Sequence, residues 1–97
     1  MSTPRAARVS GEKTADGAIK AAGGLLHGIL LCPDGTNAVT AILYDNATAA
    51  SGTILARVIT PGTASDLTSF YPALPFSNGL YLDIGGVGSP RAYIYFE

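Results

Sequence analysis

The 97-residue sequence has little of several residue types on which common kinds of site depend. It has one cysteine, one histidine and no tryptophan, and charged residues make up 13% of it, against roughly 25% in ordinary soluble domains. A single cysteine, Cys32, excludes an intramolecular disulfide. A metal site would need more ligands than Cys32 and the only histidine, His27, can supply. The sequence therefore predicts no disulfide framework, no metal and no cofactor.

Catalytic motifs are also missing. His27 lies in an apolar run and no G-x-S-x-G elbow is present, so we expect a histidine that is hydrogen-bonded in or beside the core. Ser10 and Lys13 have S-x-x-K spacing, but they lie in a polar segment that would leave the lysine solvated. The glycine-rich residues 85–88 precede a strand pattern rather than a helix, which predicts a hairpin loop and not a phosphate site. The prediction is that the protein is not an enzyme.

The net charge of -1 gives no field that would attract nucleic acid or an anionic membrane. Basic residues do outnumber acidic ones in the first 24 residues, but no aromatic residue stands among them to stack on bases. No run approaches the ~20 apolar residues of a membrane helix, and no secretion signal is visible. We expect neither nucleic acid nor a membrane as a partner, and a cytoplasm-like compartment.

The chain changes composition at Gly23 and Gly24. Residues 1–23 are polar and small, which indicates an extended N-terminal arm that becomes ordered on a neighbouring subunit. Residues 24–97 are expected to form the folded domain. On this division, removal of residues 1–20 would leave the domain folded and weaken its attachment to partners.

Residues 24–97 alternate apolar stretches of about six to nine residues with clusters of Gly, Pro, Asn and Asp, a pattern typical of β-sandwiches and barrels. The fold class predicted is all-β, a small antiparallel β-sandwich or jelly-roll-like barrel of about 6–8 strands with the N-terminal arm. The predicted strands are residues 25–32, 38–45, 53–60, 67–74, 80–84 and 91–96.

The last two predicted strands alternate clearly. Aliphatic residues fall on one face of each strand, and an antiparallel hairpin between them would bury that face. The same pairing would gather Tyr81, Tyr93 and Tyr95 on the outer face. Such a cluster is either cross-strand packing under a cover or a contact surface, because tyrosine is common both in strands and in interfaces.

Residues 43–58 read LYDNATAASGTILARV and place Asp45 and Asn46 between two apolar runs. Both residues favour turns and neither has a catalytic partner in the sequence, so they predict a corner between strands. The flanking strands are apolar on both faces. Since a sandwich covers one face of each sheet, a second cover is expected from the arm or from another subunit.

Several of these segments resemble the small structural proteins of tailed bacteriophages. In that family, strand and turn patterns like those of this chain recur in the same order over residues 24–97. The segments that carry the resemblance are LLHGIL (25–30), PDG (33–35), AILYDN (41–46), ASGTILA (50–56), FSNGL (76–80) and the glycine-rich loop with the aromatic last strand.

The resemblance implies a non-enzymatic virion protein assembled in the host bacterial cytoplasm, most simply a capsid decoration or cement subunit. It implies a homo-oligomer, with a trimer favoured, bound to the major capsid protein or other virion proteins. A head-tail connector or tail component, and a carbohydrate- or receptor-binding β module, remain the alternatives. The residues expected to contact partners are Arg5, Arg8 and Val9 in the arm and Tyr81, Arg91, Tyr93 and Tyr95 on the domain.

Overall fold

Strands form where aliphatic, β-branched and aromatic residues run between turn formers. The computed structural model describes residues 8–86 and 90–97. The strands in these residues are β1 (Arg8–Val9), β2 (Gly17–Lys20), β3 (Gly24–Cys32), β4 (Val39–Tyr44), β5 (Ile54–Thr60), β6 (Asp66–Phe76), β7 (Leu80–Gly86) and β8 (Arg91–Phe96).

These strands form two four-stranded sheets, and every pairing is antiparallel. Sheet A has the order β1-β8-β3-β6, and sheet B has the order β2-β7-β4-β5. Strands that follow one another in sequence usually lie in opposite sheets, and the one exception in the described part of the chain is the β4–β5 hairpin. The predicted all-β sandwich is confirmed.

All six predicted strands are present, with ends that differ by no more than two residues from those expected. The two further strands, β1 and β2, lie within the predicted arm. β1 pairs with β8 and β2 pairs with β7, so residues 8–20 extend both sheets of their own chain rather than crossing to a neighbour. Strands as short as these depend largely on backbone hydrogen bonds, which leave no mark on the apolar pattern of the sequence.

The predicted hairpin between the last two strands is wrong. β7 belongs to sheet B and pairs with β2 and β4, whereas β8 belongs to sheet A and pairs with β1 and β3. The glycine-rich segment between them therefore joins two sheets instead of closing a hairpin. Alternation of residue types correctly gave the buried face of each strand, but it carries no information on which strand lies beside it.

The core lies between the inner faces of the two sheets. It contains the aliphatic faces of β3, β4, β7 and β8, closed by Val58 and Phe76: Leu26, Ile29, Leu31, Val39, Ala41, Leu43, Leu80, Leu82, Ala92 and Ile94. Thr60 is buried with them, and its hydroxyl donates to the Ala64 carbonyl oxygen at 2.8 Å. No second layer of the described chain covers the outer face of sheet B, where Ile59 is 63% exposed, because β2 lies beside β7 rather than over it.

Candidate functional site

Asp45 binds the backbone of a distant turn. Its carboxylate accepts N–H hydrogen bonds from Ser77 at 3.1 Å, from Asn78 at 2.8 Å and from Gly79 at 3.4 Å. These donors, led by Asn78 and Ser77, lower the pKa of Asp45 below its ordinary value because they stabilise the charged form. Asp45 therefore fastens the end of β4 to the turn between β6 and β7.

Asn46 organises the loop that it begins. Its Oδ1 accepts hydrogen bonds from the backbone N–H groups of Thr48 at 2.9 Å and Ala49 at 3.0 Å. Its Nδ2 donates to the Ser51 carbonyl oxygen at 3.2 Å. Asp45 and Asn46 thus hold a corner between strands by their turn chemistry.

His27 is placed by an irregularity in sheet A. The register of β3 against β8 shifts between Leu26 and Gly28, so His27 is the extra residue of a β-bulge. Its Nε2 lies 2.6 Å from Oε2 of Glu97, and the two side chains are 32% and 13% exposed. A bulge turns a side chain out of the regular alternation, and here it brings the imidazole to the carboxylate of Glu97, which directly follows β8 and lies 70 positions away in the chain.

A cleft of about 280 Å³ lies beside this pair, lined by His27, Gly28, Leu67, Ser69 and Tyr95. Three neighbouring strands form it, because Gly28 of β3 pairs with Ser69 of β6 on one side and Tyr95 of β8 on the other. Because Gly28 has no side chain, a depression is left between Ser69 and Tyr95. The cleft offers an aromatic ring, an aliphatic side chain and the polar groups of His27 and Ser69.

The sequence pointed to two of these lining residues, His27 and Tyr95, but missed Ser69, Leu67 and the role of Glu97. Alternation did place Glu97 on the same face of β8 as Tyr95. The position of β3 beside β8 was the missing information, since it depends on long-range pairing.

The residues predicted as partner contacts divide between two sheets. Arg91, Tyr93 and Tyr95 lie on one face of β8, and Val9 of β1 pairs with Tyr95. Arg8 is exposed on β1, next to Phe96. The final members of the set are Tyr81, which lies on sheet B, and Arg5, which is outside the described residues.

The predicted cluster of three tyrosines is therefore wrong, because Tyr81 is in a different sheet from Tyr93 and Tyr95. Tyr93 has its own neighbour in the segment between β1 and β2, where its hydroxyl donates to Oε2 of Glu12 at 3.4 Å. Partial loss of solvent and then the negative charge of Glu12 raise the pKa of Tyr93.

Large apolar side chains are exposed on two adjoining edge strands. β5 closes one edge of sheet B and carries Ile54 and Ile59, which are 46% and 63% exposed. β6 closes one edge of sheet A and carries Leu67 and Tyr71, which are 59% and 90% exposed. Since β5 and β6 contact each other, the two strands lie along the same edge of the sandwich, with Ile59 on the outer face of sheet B and Leu67 on the outer face of sheet A.

Within residues 8–86 and 90–97, no three histidine, cysteine or acidic side chains come together as a metal ion would require. The described chain also contains no helix that is long and apolar enough to cross a membrane. Comparison with models of known protein families, with curated proteins and with solved structures found no match.

Proposed function

We propose that this chain is a non-enzymatic structural subunit, and specifically a capsid decoration or cement protein of a tailed bacteriophage. The phage assignment is supported by the strand and turn motifs of residues 24–97 that resemble such proteins. The more general role, assembly with other proteins, is supported by the surface of the sandwich.

The observation that carries the proposal is the exposure of Ile54, Ile59, Leu67 and Tyr71 on the adjoining edges of the two sheets. An edge strand offers unpaired backbone groups, and soluble proteins usually protect such strands with charge, proline or a cover. β6 contains two prolines, but β5 reads ILARVIT with one charged residue, Arg57. An apolar edge of this kind is typical of a surface that is buried on assembly.

Next to this apolar edge, the outer face of sheet B also carries apolar residues. Ile59 pairs with Thr40, Arg57 pairs with Ile42, and Ile54 pairs with Tyr44. The outward residues of the central strand β4 are only half-buried. In an isolated antiparallel sandwich this face would be mainly polar, since it would meet water.

The mechanism is burial of this mild, apolar surface against the major capsid protein or another virion protein. Many copies act on one shell, so weak individual contacts add up through avidity. The chain acts as a homo-oligomer, for which the resemblance favours a trimer. Arg91, Tyr93, Tyr95 and Val9 form a second contact face on sheet A.

The test is binding of the purified protein to phage heads from the bacterium that carries its gene, after those heads are stripped of the endogenous copies. We expect saturable binding with a fixed number of copies per head and a higher temperature of head rupture. Ile59→Ser should weaken binding, whereas Ala49→Ser, an exposed change in the loop between β4 and β5, should leave it unchanged. Absence of the chain from intact particles by mass spectrometry, together with no binding to stripped heads, would refute the proposal.

A further inference from the structure

Tyr71 is the most exposed of the large apolar side chains in the described chain, at 90%. It lies where β6 departs from its pairing with β3. Gly28 pairs with Ser69 and Leu26 pairs with Leu74, so β6 has residues 70–73 where β3 has only His27. Phe70 packs against the core, which anchors the segment and leaves the next side chain, Tyr71, projecting outward.

The cleft next to His27 lies on the same outer face of sheet A. Leu67 and Ser69 line it, and Tyr71 follows them at the same two-residue spacing along β6. Tyr71 is not among the residues that line the cleft of its own chain. A projecting aromatic ring and an open cleft thus stand side by side on one surface.

We propose that two copies of the chain associate about a two-fold axis, each placing the ring of Tyr71 in the cleft of the other. This inference rests on the proposed function, because it requires copies of the chain to associate. It replaces the three-fold contact implied by the resemblance with a two-fold contact. A two-fold contact is made by the same patch on both copies. Tyr71 is two residues after Ser69 of the cleft on β6, so the ring and the cleft together form such a self-complementary patch.

The chemistry of the cleft suits a tyrosine side chain. Leu67 and Tyr95 provide apolar and aromatic contact for the ring, and Ser69 provides a hydroxyl for the tyrosine hydroxyl, since Nε2 of His27 is already held by Glu97. A buried tyrosine contributes about 150–250 Å² of contact area. The lining residues include no Asp, Glu, Lys or Arg, and the carboxylate of Glu97 next to the cleft is held by Nε2 of His27 at 2.6 Å and is 13% exposed, which limits repulsion between like charges when two copies meet.

Position in the sheet also favours a second copy as the occupant. β6 is an edge strand of sheet A, with β3 on its inner side. Pro72 and Pro75 interrupt the backbone donors of β6, so a continuous strand-to-strand pairing is disfavoured. Contact through side chains, with Tyr71 as the central anchor, is the mode of association left to this face.

The experiment is sedimentation velocity of the full chain over a concentration series. We expect the wild type to form dimers and Tyr71→Ser to raise the dissociation constant at least about tenfold, as for a central aromatic anchor. Ala49→Ser is the control, since it changes an exposed residue in the loop between β4 and β5, away from the cleft and the apolar edge, and should leave dimerisation unchanged. Thermal unfolding followed by circular dichroism checks that each variant folds.

A second variant tests the cleft itself. Ser69→Trp fills the cleft at an exposed position and should also be monomeric. An equimolar mixture of Ser69→Trp and Tyr71→Ser retains one ring and one open cleft, so it should form heterodimers although neither protein dimerises alone. No heterodimer in this mixture, or equal dimerisation by wild type and Tyr71→Ser, would overturn the proposal.

The outcomes separate the two proposals. A wild-type protein that stays monomeric but binds stripped heads refutes the two-fold contact and supports the cement role. A protein that dimerises through Tyr71 but never binds heads supports the contact and refutes the cement role.

Discussion

The close approach of β3 to β6 at Gly28 gives a quantitative prediction. A Cβ added at Gly28 would lie 2.7 Å from the Thr68 carbonyl oxygen, whereas a carbon and a carbonyl oxygen in contact are about 3.3–3.6 Å apart. The two strands would have to separate by roughly 0.6–0.9 Å to relieve the clash. Since Ile29 pairs with Thr68, this separation would pull β3 and β6 apart next to the cleft.

We expect Gly28→Ala to lower the free energy of unfolding by about 1–3 kcal/mol, the usual cost of forcing extra volume into a packed site. Gly85→Ala is the matched control. Gly85 is also within a strand, but its Cβ would lie 3.8 Å from the Thr40 carbonyl oxygen, in ordinary contact. That variant should be neutral or more stable by about 0.5–1 kcal/mol, because glycine in a strand loses more conformational entropy than alanine.

Urea unfolding followed by far-ultraviolet circular dichroism measures both variants. A loss of about 2 kcal/mol would move the midpoint of Gly28→Ala down by roughly 1 M urea if the slope is unchanged. The reasoning would be refuted if Gly28→Ala were as stable as the wild type. It would fail equally if Gly85→Ala lost as much stability as Gly28→Ala, since the strand position alone would then explain the loss.

Three further predictions concern carboxylates and the N-terminal segment. The lowered pKa of Asp45 means that its contribution to stability is present above the unfolded value of 3.8 and is lost as pH falls through the folded pKa. Asp45→Asn should therefore lower the melting temperature at pH 7 and lower it less at pH 2. Loss of solvent and the nearby charge of Asp16 raise the pKa of Asp83, so Asp83→Asn should raise the melting temperature at pH 7, with the gain disappearing below pH 3.8. Removal of residues 1–20 should lower the melting temperature by at least about 4 °C, because β1 and β2 pair with β8 and β7 and Ile19 packs on the core; calorimetry measures the change.

Each of the three has an outcome that contradicts it. An Asp45→Asn effect of equal size at pH 2 and pH 7 would assign its role to packing rather than charge. A destabilised Asp83→Asn at pH 7 would mean that the carboxylate is favourably bound. An unchanged melting temperature after removal of residues 1–20 would restore the sequence-based expectation that this segment is dispensable for folding.

The sequence was informative where side-chain type decides structure. Alternation identified Leu80 and Leu82 as inward-facing, and turn chemistry identified the corner at Asp45 and Asn46. Both signals are local, because strand facing has a period of two and turn formers act on their own backbone.

The sequence was uninformative where structure depends on partners far apart in the chain. The contact of His27 with Glu97 requires β3 to lie beside β8, and the cleft further requires β6 to lie on the other side of β3. Neither pairing leaves a compositional signature, since almost any apolar strand could occupy either position. The strands β1 and β2 escaped detection because they are short and rest on backbone hydrogen bonds.

The order of strands in the two sheets has a consequence for how the protein is made. β3, an early strand, lies between β6 and β8 in sheet A, and β4 lies between β5 and β7 in sheet B. During synthesis, β3 therefore lacks one of its two neighbours until β8 has been made. Among the described strands, β4 and β5 are the pair that is adjacent both in sequence and in a sheet. Folding on the ribosome should be late and cooperative, and slow for a chain of this size, because non-local pairing carries a large loop-closure cost.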